Sequence, residues 1–361
     1  MALNKIHWQT IKNKILAKAD SVLGIDIGTG SIKIVEIKQK DERAVVTKIA
    51  IADFDAVIFD DSRLLKPELA AILRRQIAIN GFNSCRVVAA IGGRSIFIRQ
   101  ITVPPMTAGE LREAIKWELE KYIPYAPVNC YYDFAVLGAA GSGIGLRVLL
   151  AAAIKDSIDT LVTVLKDCGL QPIAIDGEAF ALYRSLSNAE NSLLLDIGQY
   201  LTQLIMYQQG IPQITRNIPL AGRQFTELLM KELGLDAEKA EQLKQARQDL
   251  LPPVSQAGNY SQAQEQMLLL VAELAREIRR TIEVYQSQHK EAAIEKIIVS
   301  GGGASLTHLV DRLKLFFDIP VILHNAAAAI EHSPAVDAGY LQAIAPRLGV
   351  AVGLALRGGA G

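Results

Sequence analysis

Cysteines, an excess of one charge and long apolar runs are scarce in this chain of 361 residues. Its three cysteines are far apart and form no CxxC pair. That spacing excludes a disulfide framework or a zinc finger and is typical of a reducing compartment. Lys and Arg together number 38, and so do Asp and Glu. The resulting zero net charge disfavours a general binder of nucleic acid or anionic membranes, which needs a cationic excess.

A membrane-spanning helix needs about 20 apolar residues in a row, and no segment of the sequence has them. The most apolar long stretch, residues 136–154, contains four glycines and an arginine and therefore predicts two strands around a turn. Residues 1–20 lack the apolar core of a signal peptide, and their lysines lie opposite Trp8, Ile11 and Ile15 at helical spacing. This basic segment is typical of a surface helix or tail, with membrane contact as the alternative. We expect a soluble, cytoplasmic protein.

One short motif occurs twice. Residues 23–28 read LGIDIG, and residues 193–198, which lie 170 positions further on, read LLLDIG. In each copy an apolar run leads into Asp-Ile-Gly, and a short link and a second apolar run follow. Glycine permits the tight backbone of such a link, so both copies predict a β-hairpin. The duplication predicts two lobes built on the same plan.

A third glycine site follows the predicted strand Lys296–Ser300. Gly301, Gly302 and Gly303 lie between that strand and a helical pattern that begins near Leu306. Free backbone N–H groups at a helix N-terminus favour an anionic or polar ligand. By itself the pattern matches neither the P-loop nor GxGxxG spacing and is more typical of a structural turn than of a ligand site.

Between the two hairpins the sequence predicts a compact α+β module, in which a Thr107–Glu110 capping box opens a helix. The length allows two or three domains, and the second half is the more helical. The predicted organisation is a basic segment, a discontinuous first lobe, an inserted subdomain and a second lobe with a helical part. The basic segment is 1–20 and the first lobe is 21–81 together with 171–190. The inserted subdomain is 82–170. The second lobe is 191–361, with its helical part at about 220–290.

Paired glycine-rich hairpins can clamp phosphate, because their backbone N–H groups approach phosphate oxygens with no side chain in the way. Asp26 and Asp196, at the strand ends, would face each other across a cleft and hold a hydrated Mg²⁺, which needs only one or two carboxylates. Lys33 could reach a phosphate as a point charge. In the alternative interpretation the two aspartates only cap strands.

These motifs resemble those of the actin, Hsp70 and sugar-kinase ATPase superfamily. Residues 23–31 are similar to its phosphate-1 motif, residues 194–198 to phosphate-2 and residues 298–303 to the adenosine motif. Residues 106–124 resemble the inserted subdomain of the PilM family of type IV pilus assembly, which is related to FtsA. The resemblance implies an α/β, actin-like ATPase fold with two RNase-H-like lobes around a nucleotide cleft and an inserted α+β subdomain.

The resemblance also implies a site for ATP and Mg²⁺. The residues it assigns to phosphate-1 are Asp26, Gly28, Thr29, Gly30, Ser31 and Lys33, and those to phosphate-2 are Asp196, Gly198 and Thr202. The residues it assigns to adenosine are Gly301, Gly302, Gly303, Glu241 and Lys244, with Asp26 and Asp196 at the metal. Glu178 would orient a water. For Glu241 and Lys244 an ordinary surface ion pair is the alternative.

The chain departs from the superfamily after Gly198, where small residues are usual and Gln199, Tyr200 and Leu201 occur instead. Bulky side chains there would crowd a terminal phosphate, so we expect ATP binding with slow or absent hydrolysis.

The resemblance to PilM implies a scaffold of the pilus machine. A groove between the inserted subdomain and the first lobe would take the N-terminal cytoplasmic peptide of PilN and so bring the protein to the inner membrane. Other pilus components are further partners, and self-association stays open. The alternatives are an FtsA-like division filament protein, which typically carries a C-terminal amphipathic helix that is absent here, and a sugar-kinase-type phosphotransferase, which needs a polar sugar pocket.

Overall fold

A computed structural model describes residues 21–359 except 41–42, 55–58, 61–62, 65, 124, 141–144, 188, 247–249, 256–259 and 290–292. The basic segment predicted at 1–20 lies outside the described residues. So does the proline that closes the 106–124 motif.

The described strands are β1 (Ser21–Ile27), β2 (Ser31–Lys40), β3 (Arg43–Asp53), β4 (Phe59–Asp60), β5 (Arg63–Leu64), β6 (Arg86–Ile91), β7 (Ile96–Val103), β8 (Cys130–Ala139), β9 (Leu146–Ile154), β10 (Gln171–Gly177), β11 (Ser192–Ile197), β12 (Thr202–Gln208), β13 (Ile211–Ile218), β14 (Lys296–Ser300), β15 (Val321–Leu323) and β16 (Glu331–His332). The described α-helices are α1 (Lys66–Asn80), α2 (Ala108–Tyr122), α3 (Lys155–Asp167), α4 (Glu178–Arg184), α5 (Gly222–Leu233), α6 (Ala237–Gln245), α7 (Gln262–Gln288), α8 (Leu309–Lys314), α9 (Ala338–Ile344) and α10 (Gly349–Gly359).

Two sheets of the same topology form the body of the molecule. The first has the order β10-β6-β1-β2-β3 and the second has the order β15-β14-β11-β12-β13. In each sheet the first three strands in sequence are antiparallel neighbours, and the next two pair in parallel on the other side. The short β16 adds in parallel to β3. The motif at residues 23–28 and its copy therefore open two lobes of one plan, as predicted.

The last helices of the chain lie on the first sheet, although we predicted residues 191–361 as the second lobe. Leu348, Ala351 and Ala355 of this segment pack against Val35 and neighbouring apolar residues of β2 and β3. The first lobe is therefore completed by residues from the end of the described chain. A pattern of apolar residues shows that a helix is buried but not which sheet buries it.

Helices α4 and α10 cross between the two sheets. Ala179 and Leu182 of α4 share one core with Leu194 and Ile205 of the second sheet. The Tyr207 hydroxyl of β12 donates a 2.6 Å hydrogen bond to the Ala179 carbonyl. Helix α4 therefore joins the lobes through both apolar packing and a buried hydrogen bond.

The C-terminal end of α4 is bonded to the second lobe through a buried histidine, His324, which follows β15. One ring nitrogen, Nδ1, lies 2.9 Å from the Ser300 hydroxyl at the end of β14. The other, Nε2, lies 3.2 Å from the Ser185 carbonyl just after α4. Burial lowers the pKa of His324, and the hydrogen bond to Ser185 opposes that effect.

The inserted module forms a separate three-stranded sheet with the order β7-β9-β8. Helix α2 covers one face of it through Leu111, Ile115 and Leu119. The predicted capping box is present, since Thr107 and Glu110 bond each other's backbone N–H groups. This α+β unit was predicted from the sequence pattern alone.

One predicted helix start differs from the structure. A 3₁₀ turn, Gly302–Ser305, follows the glycines, and His308 at φ 64° breaks the expected helix so that α8 starts only at Leu309.

Within the described part of the chain, no single helix is long and apolar enough to cross a membrane. One helix pair, Ala338–Arg347 with Gly349–Gly358, passes that test by length and composition only and is bent by 100°.

Candidate functional site

The two hairpin turns have the same backbone geometry. In the first, the Gly28 N–H donates to the Ser31 carbonyl at 3.0 Å. In the second, the Gly198 N–H donates to the Leu201 carbonyl at 3.0 Å. The two turns are thus structural copies, as their spacing of 170 residues predicts.

The residues beside the turns also match in register. Asp26 pairs with Lys33 across β1 and β2, and Asp196 pairs with Gln203 across β11 and β12. Position 33 is therefore a cation in the first lobe, and its counterpart at position 203 is a neutral amide. The duplication puts two aspartates at equivalent strand ends but neutralises only one of them locally.

Asp26 is almost fully buried and forms an ion pair with Lys33, whose Nζ lies 3.0 Å from Asp26 Oδ2. A methyl group at Gly28 would come within 3.0 Å of the same Nζ atom. The ammonium group is therefore held directly under the first turn. A phosphate bound by the turn would meet this positive charge.

Asp196 lies against the glycine loop that follows β14. Gly301 has φ 89°, and a Cβ there would come within 2.6 Å of Asp196 Oδ1. Glycine is needed at this position for both its backbone angle and its close approach. Burial raises the pKa of Asp196 to about 6, with a further contribution from Asp26, while Lys33 opposes both effects.

Glu178, the first residue of α4, is a third carboxylate of the cluster. Burial raises its pKa to about 8, the charges of Asp26 and Asp196 add to this, and Lys33 opposes it. Gly92 lies so close to this carboxylate that any Cβ would clash with it. Gln203 Nε2 lies 3.4 Å from Glu178 Oε2. The cluster thus holds three carboxylates and one cation, and it retains protons near neutral pH.

The arrangement suits a hydrated divalent cation that also takes oxygens from its ligand. In the described part of the chain, no group of three or more His, Cys, Asp or Glu side chains is close enough to hold a metal alone. Asp26 and Asp196 can still supply the one or two carboxylates that Mg²⁺ uses when phosphates and waters complete its shell. Gln203 Oε1 is buried and has no hydrogen-bond partner among the described residues, so the cluster also offers a neutral oxygen acceptor.

The second turn spans the space between the first turn and the start of α5. A Cβ on Gly30 would lie 2.9 Å from Gln199 Cβ, and one on Gly222 would lie 3.1 Å from Gln199 Oε1. The Gln199 carbonyl accepts a 2.8 Å hydrogen bond from the Arg223 N–H. Of the bulky residues that we predicted to crowd a phosphate, Gln199 lies between Gly30 and Gly222, and the crowding itself stays a prediction.

Glu241 and Lys244 form a cross-link between α6 and α5, which is more than a surface ion pair. Lys244 Nζ lies 2.7 Å from Glu241 Oε2 and donates to the Gly222 carbonyl and the Thr226 hydroxyl at 3.0 and 2.8 Å. Burial lowers the pKa of Lys244, and Glu241 partly restores it. The pKa of Glu241 is also lowered, because Lys244, Thr226 and Gln245 outweigh the effect of burial. This pair lies beside the same helix start, at Gly222, that the second turn contacts.

The structure brings most of the predicted site residues to one place. Gly303 packs against Ile197 next to the second turn, and Gly301 contacts Asp196. Thr202 is fully buried, and its hydroxyl donates a 2.6 Å hydrogen bond to the Leu220 carbonyl. This hydroxyl hydrogen is therefore used within the second lobe. The assignment of Thr202 to phosphate stays a prediction, as do all the other assignments of these residues to phosphate, metal and adenosine.

Sequence reasoning missed four residues of the cluster. Gly92 lies against Glu178, Gln203 bonds it, and Gly222 and Thr226 bond the pair on α6. Gln203 could have been found, because it lies 170 residues after Lys33, as Asp196 lies after Asp26. The other three carry no signal in a single sequence.

Solved structures with this architecture include a PilM–PilN type IV pilus biogenesis complex, which is 26% identical with a TM-score of 0.81 over 94% of this chain and 99% of that one. The ethanolamine utilization protein EutJ from Carboxydothermus hydrogenoformans is 16% identical, with a TM-score of 0.55 over 93% of this chain and 89% of that one. MreB5 of Spiroplasma citri is 13% identical, with a TM-score of 0.50 over 93% and 95% of the two chains. The last two show the actin-like fold alone.

A family model described as type IV pilus assembly protein PilM matches residues 24–359. That range includes both hairpins, the inserted module and the closing helix α10. The chain therefore belongs to the PilM family of type IV pilus assembly proteins.

Proposed function

We propose that this protein is a cytoplasmic, ATP-binding scaffold of the type IV pilus inner-membrane complex, recruited to the membrane through the N-terminal peptide of PilN. The observation that carries the proposal is the pair of equivalent turns whose Asp26 and Asp196 meet in one carboxylate cluster, in a chain of the PilM family. The similar solved structure is a complex with PilN, which supports the same partner here.

The cleft offers a separate group for each part of Mg²⁺·ATP. Backbone N–H groups of the turns and Lys33 would hold phosphates, and Asp26 with Asp196 would hold the hydrated metal ion. When bound, Mg²⁺ would neutralise phosphate charge. Glu241 and Lys244 would face the ribose and adenine from α6, beside the start of α5. MreB5 of Spiroplasma citri, solved with ADP, has the same fold.

Glu178 would orient a water toward the terminal phosphate, but its environment favours slow turnover. At neutral pH its raised pKa of about 8 keeps it largely protonated, and a protonated carboxyl cannot accept the proton of an attacking water. Binding of a divalent cation would lower that pKa. We expect ATP to act mainly as a ligand that holds the lobes together.

The seam between the inserted module and the first lobe carries exposed apolar side chains suited to peptide capture. Val128 is 72% exposed, Tyr131 46% and Tyr125 41%. Helix α3 packs Leu161 and Val164 into the core of the first sheet. Tyr131 donates a 3.1 Å hydrogen bond to Asp159 on this helix, so the three-stranded module is tied to the first lobe at this point. Apolar pockets with main-chain partners nearby are what an extended peptide needs, and net charge is not required.

One experiment tests both halves of the proposal. The purified protein is titrated with ATP and Mg²⁺ and, separately, with a synthetic PilN N-terminal peptide, by calorimetry. We expect saturable binding of both ligands. If neither ligand binds, the proposal is wrong.

A matched pair of variants localises the peptide. Val128→Asp puts a charge in the exposed seam, and we expect at least about a tenfold loss of peptide affinity with unchanged ATP affinity. The control, Val284→Asp, changes a valine on α7 that is 49% exposed and remote from the seam. Equal effects of both variants would argue against a groove at this seam.

A further inference from the structure

Gln203 occupies the position in the second lobe that a lysine occupies in the first. In the first hairpin Lys33 is the cross-strand partner of Asp26, and the two side chains form an ion pair of 3.0 Å. In the second hairpin the cross-strand partner of Asp196 is Gln203, which carries no charge. The duplication therefore repeats the aspartate of this pair but not its cation.

The charges of the carboxylate cluster are consequently unbalanced. Lys33 pairs with Asp26, whereas no residue that the structure describes forms an ion pair with Asp196 or Glu178. Partly buried carboxylates without a positive partner favour the binding of a cation. The missing positive charge lies on the side of the cluster that the second lobe contributes.

Gln203 also carries a polar atom without a partner. The residue is only 7% exposed, and its Nε2 lies 3.4 Å from Glu178 Oε2. Its Oε1 is buried and receives no hydrogen bond from any described residue. Leaving a buried amide oxygen without a donor costs free energy, so such an atom indicates a bound water, ion or ligand. Because the same amide contacts Glu178, this oxygen belongs to the carboxylate cluster.

The register, the missing cation and the free oxygen fit one kind of ligand, a hydrated divalent cation. Mg²⁺ takes one or two carboxylates and keeps several of its waters. Those waters are hydrogen-bond donors, and a neutral amide oxygen can accept from them. A lysine at position 203 would do the opposite, because its ammonium group would pair with Asp196 and repel a second cation.

We propose that Gln203 sets the metal requirement of this cleft. As the neutral counterpart of Lys33 it leaves Asp196 to a divalent cation, and its Oε1 accepts a hydrogen bond from a water bound to that cation. The inference rests on the proposed nucleotide site and deepens it. Gln203 acts through the water and is a positioning residue. The first lobe then has a permanent positive charge in Lys33, and the second lobe receives one with its ligand.

Two variants test this role. Gln203→Lys gives the second hairpin the residue of the first, and Gln203→Met removes the amide oxygen without adding a charge. Calorimetry measures the affinity for ADP with Mg²⁺ and in EDTA for the wild type and both variants. We expect Mg²⁺ to raise the affinity of the wild type, and the ratio of the two affinities to fall about tenfold in Gln203→Met. In Gln203→Lys the ratio should approach one, with binding in EDTA at least as tight as in the wild type.

Gln208→Lys is the matched control for the added charge. Gln208 lies on the same strand, and its buried Oε1 also lacks a partner among the described residues, but its Nε2 bonds Asn191 at the other end of β12. We expect this variant to keep the Mg²⁺ dependence of the wild type. An equal change in Gln208→Lys would overturn the role of Gln203, because added charge alone would then explain the result.

The outcomes separate this inference from the function on which it rests. If the wild type binds ADP but Mg²⁺ has no effect, or if both Gln203 variants keep its effect, the role of Gln203 is wrong and the nucleotide site stands. Loss of ADP binding in EDTA by a folded Gln203→Lys variant would also contradict that role. If the wild type binds ADP in neither condition, the proposed site fails and the inference fails with it. Should Gln203→Lys not fold, as judged by thermal unfolding, Gln203→Met alone decides.

Discussion

At the scale of single residues, protonation dominates the chemistry of the cleft. Glu178 and Asp196 have pKa values raised to about 8 and about 6, whereas Lys33 is the one cation that the structure describes beside them. Buried carboxylates that lack a positive partner take up protons, and a divalent cation would replace those protons. We therefore expect the protonation of the cleft to depend on pH and on a bound divalent cation.

A variant of Asp26 tests whether this carboxylate holds the metal ion. Asp26→Asn keeps the size and polarity of the side chain but removes its charge, and we expect affinity for Mg²⁺·ATP to fall at least about tenfold. The affinity for ADP without Mg²⁺ should fall less, because Asp26 would contact the nucleotide only through the metal ion. Calorimetry with and without Mg²⁺ measures both values. Asp133→Asn, on the exposed face of β8, serves as the control, and an equal loss there would contradict the assignment.

A variant of Glu178 tests whether this carboxyl group is protonated near neutral pH. A carboxyl whose pKa is higher in the folded state binds more protons when folded, so the free energy of unfolding decreases as pH rises from 4.5 toward 8. We expect Glu178→Gln to remove this dependence, which amounts to about 1.4 kcal/mol per pH unit at most. Urea unfolding of both proteins at pH 5, 6.5 and 8 in EDTA gives the comparison. Parallel pH profiles would show that Glu178 does not titrate as described.

At the scale of elements, local sequence signals predicted what local physics decides. The Asp-Ile-Gly repeats predicted two hairpins, and the Thr107–Glu110 box predicted the start of α2, because turns and caps depend on a few neighbouring residues. The helix expected after Gly303 is broken at His308, whose left-handed backbone has no sequence signal of its own. The Gly222–Lys244 bond and the docking of α10 depend on residues far apart in sequence. Such long-range partners do not follow from one sequence.

The contact of α10 with β1 depends on one glycine. A Cβ on Gly24 would clash with the Ala351 carbonyl and lie 2.6 Å from the Ala355 N atom, so the helix would have to move. We expect Gly24→Ala to lower the free energy of unfolding by about 3 kcal/mol. Gly109→Ala in α2 is the control, since nothing lies within 4 Å of its Cβ position. A fall of similar size in both variants would mean that the close approach of α10 is not what restricts position 24.

At the scale of the whole molecule, α4 contacts both lobes at its two ends. Its first residue is Glu178 in the carboxylate cluster, and the carbonyl just after its end bonds His324 in the second lobe. His324 also contacts Ser300, which directly precedes the glycines against Asp196. The carboxylate cluster lies at one end of α4 and the bond to His324 at the other, so a shift of this short helix would move both.

His324 gives the free energy of unfolding a pH dependence opposite in sign to that expected from Glu178. Because its pKa is lowered on folding, the unfolded chain binds more protons, and the stability present above pH 6.5 is lost as pH falls through the folded pKa. We expect His324→Gln to lose less stability than the wild type between pH 6.5 and 5, by up to about 1.4 kcal/mol per pH unit. Thermal unfolding of both proteins across this range measures the difference. If the two proteins lose stability in parallel, His324 is not the group that titrates.

Helix α10 covers β1, β2 and β6, and its position affects the order in which the two lobes can fold during synthesis. The ribosome makes β1 long before α10, so the first sheet has no cover on that face while the residues between them are translated. The strands and helices from β11 to β15 are contiguous and can complete their own core earlier. The first lobe would then finish folding after the second, and a chaperone could bind its exposed sheet until α10 is translated.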